Sequence, residues 1–332
     1  MKTIQQRIGP LITCVGALVF MGNGLAHSQA GAQEDLRLEA FRPHIEILTA
    51  TSGARQFSDA SGDLRRGRLL LKLNVPLAAP RVHSNGKLLG HQLFAQILLG
   101  RTPTEIGSPG LEREVDFLTG SLMLGGLLAT RKGNLFLLML GASIAEEEDT
   151  IDDPDPLFSG LGLFVDRRTE KLAFLYGVAA SYPYRLEFVT PVLGVRWQYH
   201  PRWSLFAAAP FLARTTYSGS EKTKLHFLVA FAGDQPRFTN QGVLVPEPDV
   251  LFLKTKQLRL GVKFDYHLSR KTTLAFEAGV LTEGSLEVTT ERDRGEIFST
   301  DLDSAGYIQL AWRRSFGKTL TDKMGPPPAS LP

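Results

Sequence analysis

Leu258-Arg259-Leu260-Gly261-Val262-Lys263-Phe264-Asp265-Tyr266-His267-Leu268 is the stretch that decides the fold. Every second residue from Leu258 to Leu268 is apolar, and the positions between are Arg259, Gly261, Lys263, Asp265 and His267. Successive side chains of a β-strand point to opposite faces, so the stretch has one greasy face and one charged or small face. A helix would scatter the same residues around its circumference. The next stretch repeats the pattern. Leu274, Phe276, Ala278 and Val280 share a face, and Thr273, Ala275, Glu277 and Gly279 share the other. The short polar connection around Ser269-Arg270-Lys271 makes the two a hairpin.

Upstream, Val189, Pro191, Leu193, Val195, Trp197 and Tyr199 alternate with Thr190, Gly194, Arg196, Gln198 and His200. After Pro201-Arg202, the alternation of Trp203, Leu205, Ala207, Ala209, Phe211 and Ala213 with Ser204, Phe206 and Arg214 predicts one strand over 203–216. Pro191 and Pro210 read as local bulges, because proline cannot donate to a strand ladder. Near the end, Ile308, Leu310 and Trp312 oppose Tyr307, Gln309 and Arg313. Weaker strands are predicted over 36–50, 67–78, 90–100, 114–129, 134–145, 157–165 and 171–181, giving twelve in all. Connections then alternate between long ones (51–66, 101–113, 146–156, 217–253, 286–303) and short ones (131–133, 166–170, 201–202, 268–270). Two break the rule, 79–89 on the short side and 183–186 on the long side. Residues 224–232 also read as a strand but fall inside the longest connection. They read as a hairpin extension with Gln241–Val245; if they span instead, the topology is off by one pair.

Short turns on one side and longer loops on the other are the layout of an outer-membrane barrel. The expected fold is therefore all-β: a single antiparallel up-and-down transmembrane barrel of about twelve strands over 31–316. The aromatic residues agree with that layout. Trp197, Tyr199, Trp203, Tyr266, Trp312 and Phe316 all lie on greasy faces at the short-turn ends, where residues with an apolar body and a polar tip collect at a membrane interface.

Composition alone points the other way. Of 332 residues, 43% are hydrophobic and 21% charged, and mean hydropathy is near zero, an average typical of water-soluble proteins. Past the first 25 residues no long apolar run occurs, which excludes a helical membrane bundle. A barrel strand needs only every second residue apolar, so the average does not exclude a barrel. Lys and Arg number 37 against 34 Asp and Glu. Two of those bases, Lys2 and Arg7, stand in the N-terminal leader, and the nearly neutral remainder gives no support for a nucleic-acid partner.

Residues 1–30 read as a secretory signal peptide. Lys2 and Arg7 form its positive region, the stretch from Ile8 to Met21 its apolar region, and Ala26 to Ala30 its cleavage site. The one cysteine, Cys14, falls inside it, so disulfides, cysteine metal sites and a cysteine nucleophile are excluded together. Residues 317–332 form a short tail with Pro326-Pro327-Pro328.

Three elements together resemble a family of Gram-negative outer-membrane β-barrels of uncharacterised function, known from sequence prediction. They are Pro191-Val192-Leu193-Gly194-Val195-Arg196-Trp197, Trp203-Ser204-Leu205 and Leu260-Gly261-Val262-Lys263-Phe264-Asp265-Tyr266, with the leader before them. The resemblance implies an outer-membrane location, lipid and lipopolysaccharide as surroundings, and the barrel assembly machinery as a partner during biogenesis. Such barrels often end in an aromatic residue. Here Phe316 can close the last strand, but the tail continues past it.

The motifs of chemistry are weak. Outer-membrane lipases and deacylases carry His-x-Ser-Asn, whereas His83-Ser84-Asn85-Gly86 places His and Ser adjacent, on opposite strand faces, and reads as a turn. The acidic run Glu146-Glu147-Glu148-Asp149-Thr150-Ile151-Asp152-Asp153-Pro154-Asp155 reads as a solvated loop rather than a Ca²⁺ site, since it lacks EF-hand spacing. No HExxH, Walker A or GxGxxG occurs, so no metal, nucleotide or other cofactor is expected, and no catalytic residue. The polar faces carry Arg196, Gln198, His200, Arg214, Arg259, Lys263, Asp265, His267, Glu277, Gln309 and Arg313. In a barrel these line the lumen, either as a selectivity ring or as an ion-pair network that plugs it. The expected function is a non-enzymatic structural barrel or narrow channel for small solutes. The alternatives are a barrel enzyme acting on lipid or lipopolysaccharide, and a soluble periplasmic β-protein with its greasy faces inward around a hydrophobic ligand.

Overall fold

The computed structural model describes residues 42–317 except 59–60, 84–87, 108–112, 149–153, 183–188, 241–249 and 291–294. The leader and nearly all of the tail lie outside the described residues. Fourteen antiparallel strands close into one ring. They are β1 (His44–Ser52), β2 (Asp63–Pro76), β3 (Leu88–Gly107), β4 (Arg113–Thr130), β5 (Leu135–Glu147), β6 (Leu157–Arg167), β7 (Leu172–Tyr182), β8 (Thr190–His200), β9 (Trp203–Ala209), β10 (Leu212–Ser218), β11 (Thr223–Asp234), β12 (Val250–His267), β13 (Thr272–Thr289) and β14 (Ala305–Ser315). The first and last strands complete the ring with His44 opposite Ser315 and Ile47 opposite Trp312. Closure leaves no edge strand, so the wall's backbone donors and acceptors are paired within it. Short accessory strands, among them Arg237–Thr239 and Glu296–Leu302, extend the wall at one mouth.

The count is fourteen rather than twelve for two reasons. Residues 203–216 are not one bulged strand. The chain turns at Pro210 and Phe211, where the Phe211 amide donates to the Ala208 carbonyl at 2.8 Å, and β9 pairs with β10. Proline, which cannot extend a ladder, sits in a turn here. Residues 223–234 do span, paired with β10 on one side and β12 on the other. The connection 219–222 is thus a short turn. Pro191, by contrast, stays inside β8, opposite Val178.

Both ends of the described chain and the tight connections such as 131–134, 168–171 and 268–271 lie at one end, called here the turn end. The wall is uneven at the other, loop end: β3 has 20 residues and β4, β12 and β13 have 18 each, whereas β9 and β10 have seven.

Close packing inside the wall rests on small residues at particular places. Gly125 on β4 lies under the buried Phe94 ring of β3, and a Cβ there would stand 2.2 Å from Phe94 Cζ. Overfilling a packed core costs about 1–3 kcal/mol. Gly125→Val is therefore expected to lower the unfolding free energy of the barrel, read by urea titration in detergent, by that amount, while Gly126→Ala, on the opposite face, leaves it within about 0.5 kcal/mol. Equal effects of the two would contradict the packing described.

Candidate functional site

The barrel is inside out relative to a soluble protein. On its outer surface Leu260, Val262, Phe264 and Tyr266 of β12 are exposed, as are Leu274, Phe276 and Val280 of β13 and Ile308 and Leu310 of β14. These residues stand in register, with Phe264 opposite Phe276 and Phe276 opposite Leu310. The belt continues through Leu122, Leu124 and Leu128 of β4 and Phe136, Leu138 and Leu140 of β5. Leu260 to Tyr266 covers about 20 Å along a strand at roughly 3.4 Å per residue. At the loop end the outward face turns polar: β3 passes from exposed Leu99 to Arg101, Pro103 and Glu105, and Arg101 pairs with Asp116 of β4.

The aromatic positions read from sequence lie at the turn end of this belt. Trp197, Tyr199, Tyr266 and Phe316 are exposed, and Trp203 and Trp312 half-buried. Trp203 packs on Tyr217 with ring centroids 4.9 Å apart, a partner the sequence reading missed because it left β10 unseparated from β9.

Between the outward residues, Lys263, Asp265, Glu277, Arg214 and Gln309 are buried. The interior has two halves. β1, β2 and β10 to β14 bring together eight basic side chains, Arg66, Arg68, Lys72, Arg214, Lys224, Arg259, Lys263 and Arg313. Four carboxylates face them, Glu46, Asp234, Asp265 and Glu277. β4 to β7 present Met123, Leu127, Leu135, Leu137, Met139, Leu161, Val165 and Leu175, a continuous apolar arc. These strands are apolar on both faces, so their sequence shows no alternation.

The ion pairs are specific. Arg313 Nη2 reaches Glu46 Oε2 at 3.0 Å, and Lys263 Nζ reaches Asp265 Oδ1 at 3.2 Å. Arg259 Nε lies 3.5 Å from Glu277 Oε1, which accepts from the Tyr307 hydroxyl at 2.6 Å. Gly261 makes room for that last bond, since a Cβ there would meet Tyr307 Oη at 2.1 Å. Thr216 Oγ1, His226 and Asp265 form a hydroxyl–imidazole–carboxylate chain, with 2.9 Å from Thr216 to Nδ1 and 3.1 Å from Nε2 to Asp265 Oδ2. Thr216 is only 1% exposed, so its oxygen is closed to a reacting substrate.

Of the sequence-assigned lumen residues, Arg214, Arg259, Lys263, Asp265, Glu277, Gln309 and Arg313 share this charged half. Arg196 and Gln198 are half-buried on β8. His267, at the turn end of β12, bonds Thr273 Oγ1 at 2.9 Å. His200, the last residue of β8, is exposed at the turn end and accepts from the Arg202 amide. The reading missed Glu46, Lys72, Arg66, Arg68, Lys224, His226 and Asp234, which sit on strands whose alternation was weaker or absent from the count.

The loop-end mouth is crossed by a strap, residues 235–240, which leaves β11, pairs with β12 and reaches β4 and β5 on the far wall. Arg237 Nη1 lies 3.4 Å from Glu146 Oε2, and Arg113 pairs with Glu147. The Thr239 amide donates to Glu147 Oε2 at 2.8 Å, and Arg113 donates to the Thr239 carbonyl at 2.5 Å. Phe238 is buried among Phe57, Val115, Phe117 and Leu251. The near end of the strap begins at Asp234, which bridges the lumen to Arg66 at 2.5 Å and to Arg68 at 3.2 Å on β2.

The acidic run therefore does not begin as a solvated loop. Glu146 and Glu147 are buried strand residues neutralised by arginines from other elements, and Asp149 to Asp153 lie outside the described residues. His83 stacks on His91 with 2.9 Å between ring nitrogens, and Ser84 to Gly86 lie outside the described residues. Among the described residues no group of three His, Cys, Asp or Glu could hold a metal.

Residues 126–317, more than half of the chain, match a domain of unknown function, DUF6268. The chain belongs to the DUF6268 family. Solved structures similar to this DUF6268 barrel include the β domain of the Bordetella autotransporter BrkA (12% identity, 83% of this chain and 100% of that one, TM-score 0.33). Others are the transport unit of the autotransporter AIDA-I from Escherichia coli (8%, 90% and 97%, 0.36) and Pseudomonas aeruginosa OccK7 (9%, 83% and 99%, 0.35). No curated protein matches the DUF6268 chain.

Proposed function

We propose that this barrel spans the outer membrane of a Gram-negative bacterium as a non-enzymatic, strapped conduit for small anionic solutes. One observation carries the reading: the wall carries an exposed apolar belt on its outer surface and an excess of cations in one half of its interior. Leu310 is 51% exposed while its neighbour Gln309 is 8% exposed, and the same contrast recurs between Phe276 and Glu277. Water would oppose such a surface and lipid would favour it. A soluble ligand-binding protein needs the reverse arrangement, so that alternative loses its basis. In this reading the belt contacts outer-membrane lipid and lipopolysaccharide, a signal peptide directs export, and the barrel assembly machinery inserts the chain. The basic lumen favours anions because charges act strongly in a narrow, low-dielectric cylinder.

The test is fractionation. The native protein is expected in the outer membrane and to migrate faster on SDS gels before boiling than after. Release of folded protein by osmotic shock overturns the assignment. In planar bilayers any current is expected to favour anions, and Arg259→Glu to reduce that preference. A cation-preferring current contradicts the lumen polarity.

A further inference from the structure

Beneath the strap, inside the charged half, lies a cavity of about 100 Å³. Four arginines line it, Arg55, Arg66, Arg68 and Arg259, with Asp234 as its one carboxylate among the described residues. Most of these charges are engaged. Asp234 accepts from Arg66 Nη1, from Arg68 Nη2 and from Thr255 Oγ1 at 2.7 Å. Arg259 faces Glu277, and Arg55 donates to the carbonyls of Asp303 at 2.8 Å and Thr282 at 2.7 Å.

Arg66 differs. Nη1 serves both Asp234 and Thr255, whereas Nε and Nη2 are buried with no hydrogen-bond partner among the described residues. Nε–H and the adjacent Nη–H form one edge of a guanidinium, the parallel fork that matches two oxygens of a carboxylate or phosphate. A buried donor without an acceptor is costly, and a second guanidinium beside it adds uncompensated charge.

We infer that this cavity is an oxyanion site: the Nε and Nη2 edge of Arg66, assisted by Arg68, binds the carboxylate or phosphate group of a solute in competition with Asp234. The site deepens the conduit reading and depends on it only for the route by which the solute arrives. Asp234 limits affinity because it already takes part of the charge of both arginines. Removing its charge leaves the whole of both to the solute.

The experiment is calorimetric titration of the full chain, folded in detergent, with sodium acetate and separately with inorganic phosphate at matched ionic strength. At least one probe is expected to bind at one site per chain. Asp234→Asn is expected to tighten that binding at least tenfold. Arg66→Lys, which keeps the charge but loses the fork, is expected to weaken it at least tenfold. Acetate binding alone assigns a carboxylate, and phosphate binding alone assigns a phosphate. The proposal is overturned if neither probe binds the wild type or Asp234→Asn, or if Arg66→Lys binds as tightly as the wild type. Folding of each variant is read from its heat-dependent gel shift. Should Arg66→Lys not fold, Asp234→Asn decides, because a gain in affinity cannot come from misfolding, and the absence of that gain rejects the site. Binding without any bilayer current counts against the conduit and leaves the site standing.

Discussion

Replacing Arg113 and Arg237 together with alanine is expected to raise the bilayer current of the reconstituted barrel at least tenfold over the wild type. The strap 235–240 is fixed to the far wall by the Arg237–Glu146 pair, by the Thr239 amide on Glu147 and the Thr239 carbonyl on Arg113, and by buried Phe238. Glu146 is 1% exposed, so its charge depends on the guanidinium beside it. Removing one partner of a buried ion pair typically costs about 3–5 kcal/mol. That penalty falls on the closed arrangement, because a released strap lets Glu146 and Glu147 hydrate. A bias of even about 3 kcal/mol changes a two-state population more than a hundredfold, at 1.4 kcal/mol per decade. Phe238→Ala supplies an independent weakening through lost burial, of about 3–5 kcal/mol. The double variant should also become more open to protease at the loop end. A variant that folds, as shown by its gel shift, and yet carries wild-type current would show that the strap is not the barrier.

How much of this was legible in the sequence depends on which physical signal each feature leaves. The period-two rule separated Val262 from Lys263 and Phe276 from Glu277, because the two faces of those strands meet lipid-like exposure and a charged interior. The rule failed in 135–140, Leu-Phe-Leu-Leu-Met-Leu, where both faces are apolar, so the apolar arc of the lumen stayed invisible. It also misread Pro210 as a bulge, since alternation on its two sides happens to continue across the turn. Contacts across the lumen leave no periodic trace at all. Arg66 and Asp234 are 168 residues apart and on strands that do not pair. Nothing local marks Glu146 as the far anchor of a strap, and a run of acids looks the same whether solvated or neutralised by arginines brought in by the fold.

Val262→Arg is expected to destabilise the folded barrel in lipid vesicles by about 2–4 kcal/mol, the usual cost of a cation on the lipid face near the midplane. Val262 is 44% exposed and belongs to the third of four outward rows between Tyr266 and Leu260. At a water-exposed strand position the same change normally stays within about 0.5 kcal/mol. The two environments therefore predict different numbers for one substitution, and reversible urea unfolding in vesicles reads the difference. The neighbour supplies the control of face. Lys263→Met places an apolar side chain of similar length one residue along, pointing inward, and withdraws the cation 3.2 Å from Asp265. It too should destabilise, because Asp265 keeps His226 but loses an ammonium in a site from which water is largely excluded. Adding a charge at 262 and removing one at 263 thus act in the same direction, which follows only if one position faces hydrocarbon and the next faces a charged interior. A vesicle-folded Val262→Arg barrel with wild-type stability would mean that the belt does not face lipid, and the outer-membrane assignment would fall with it.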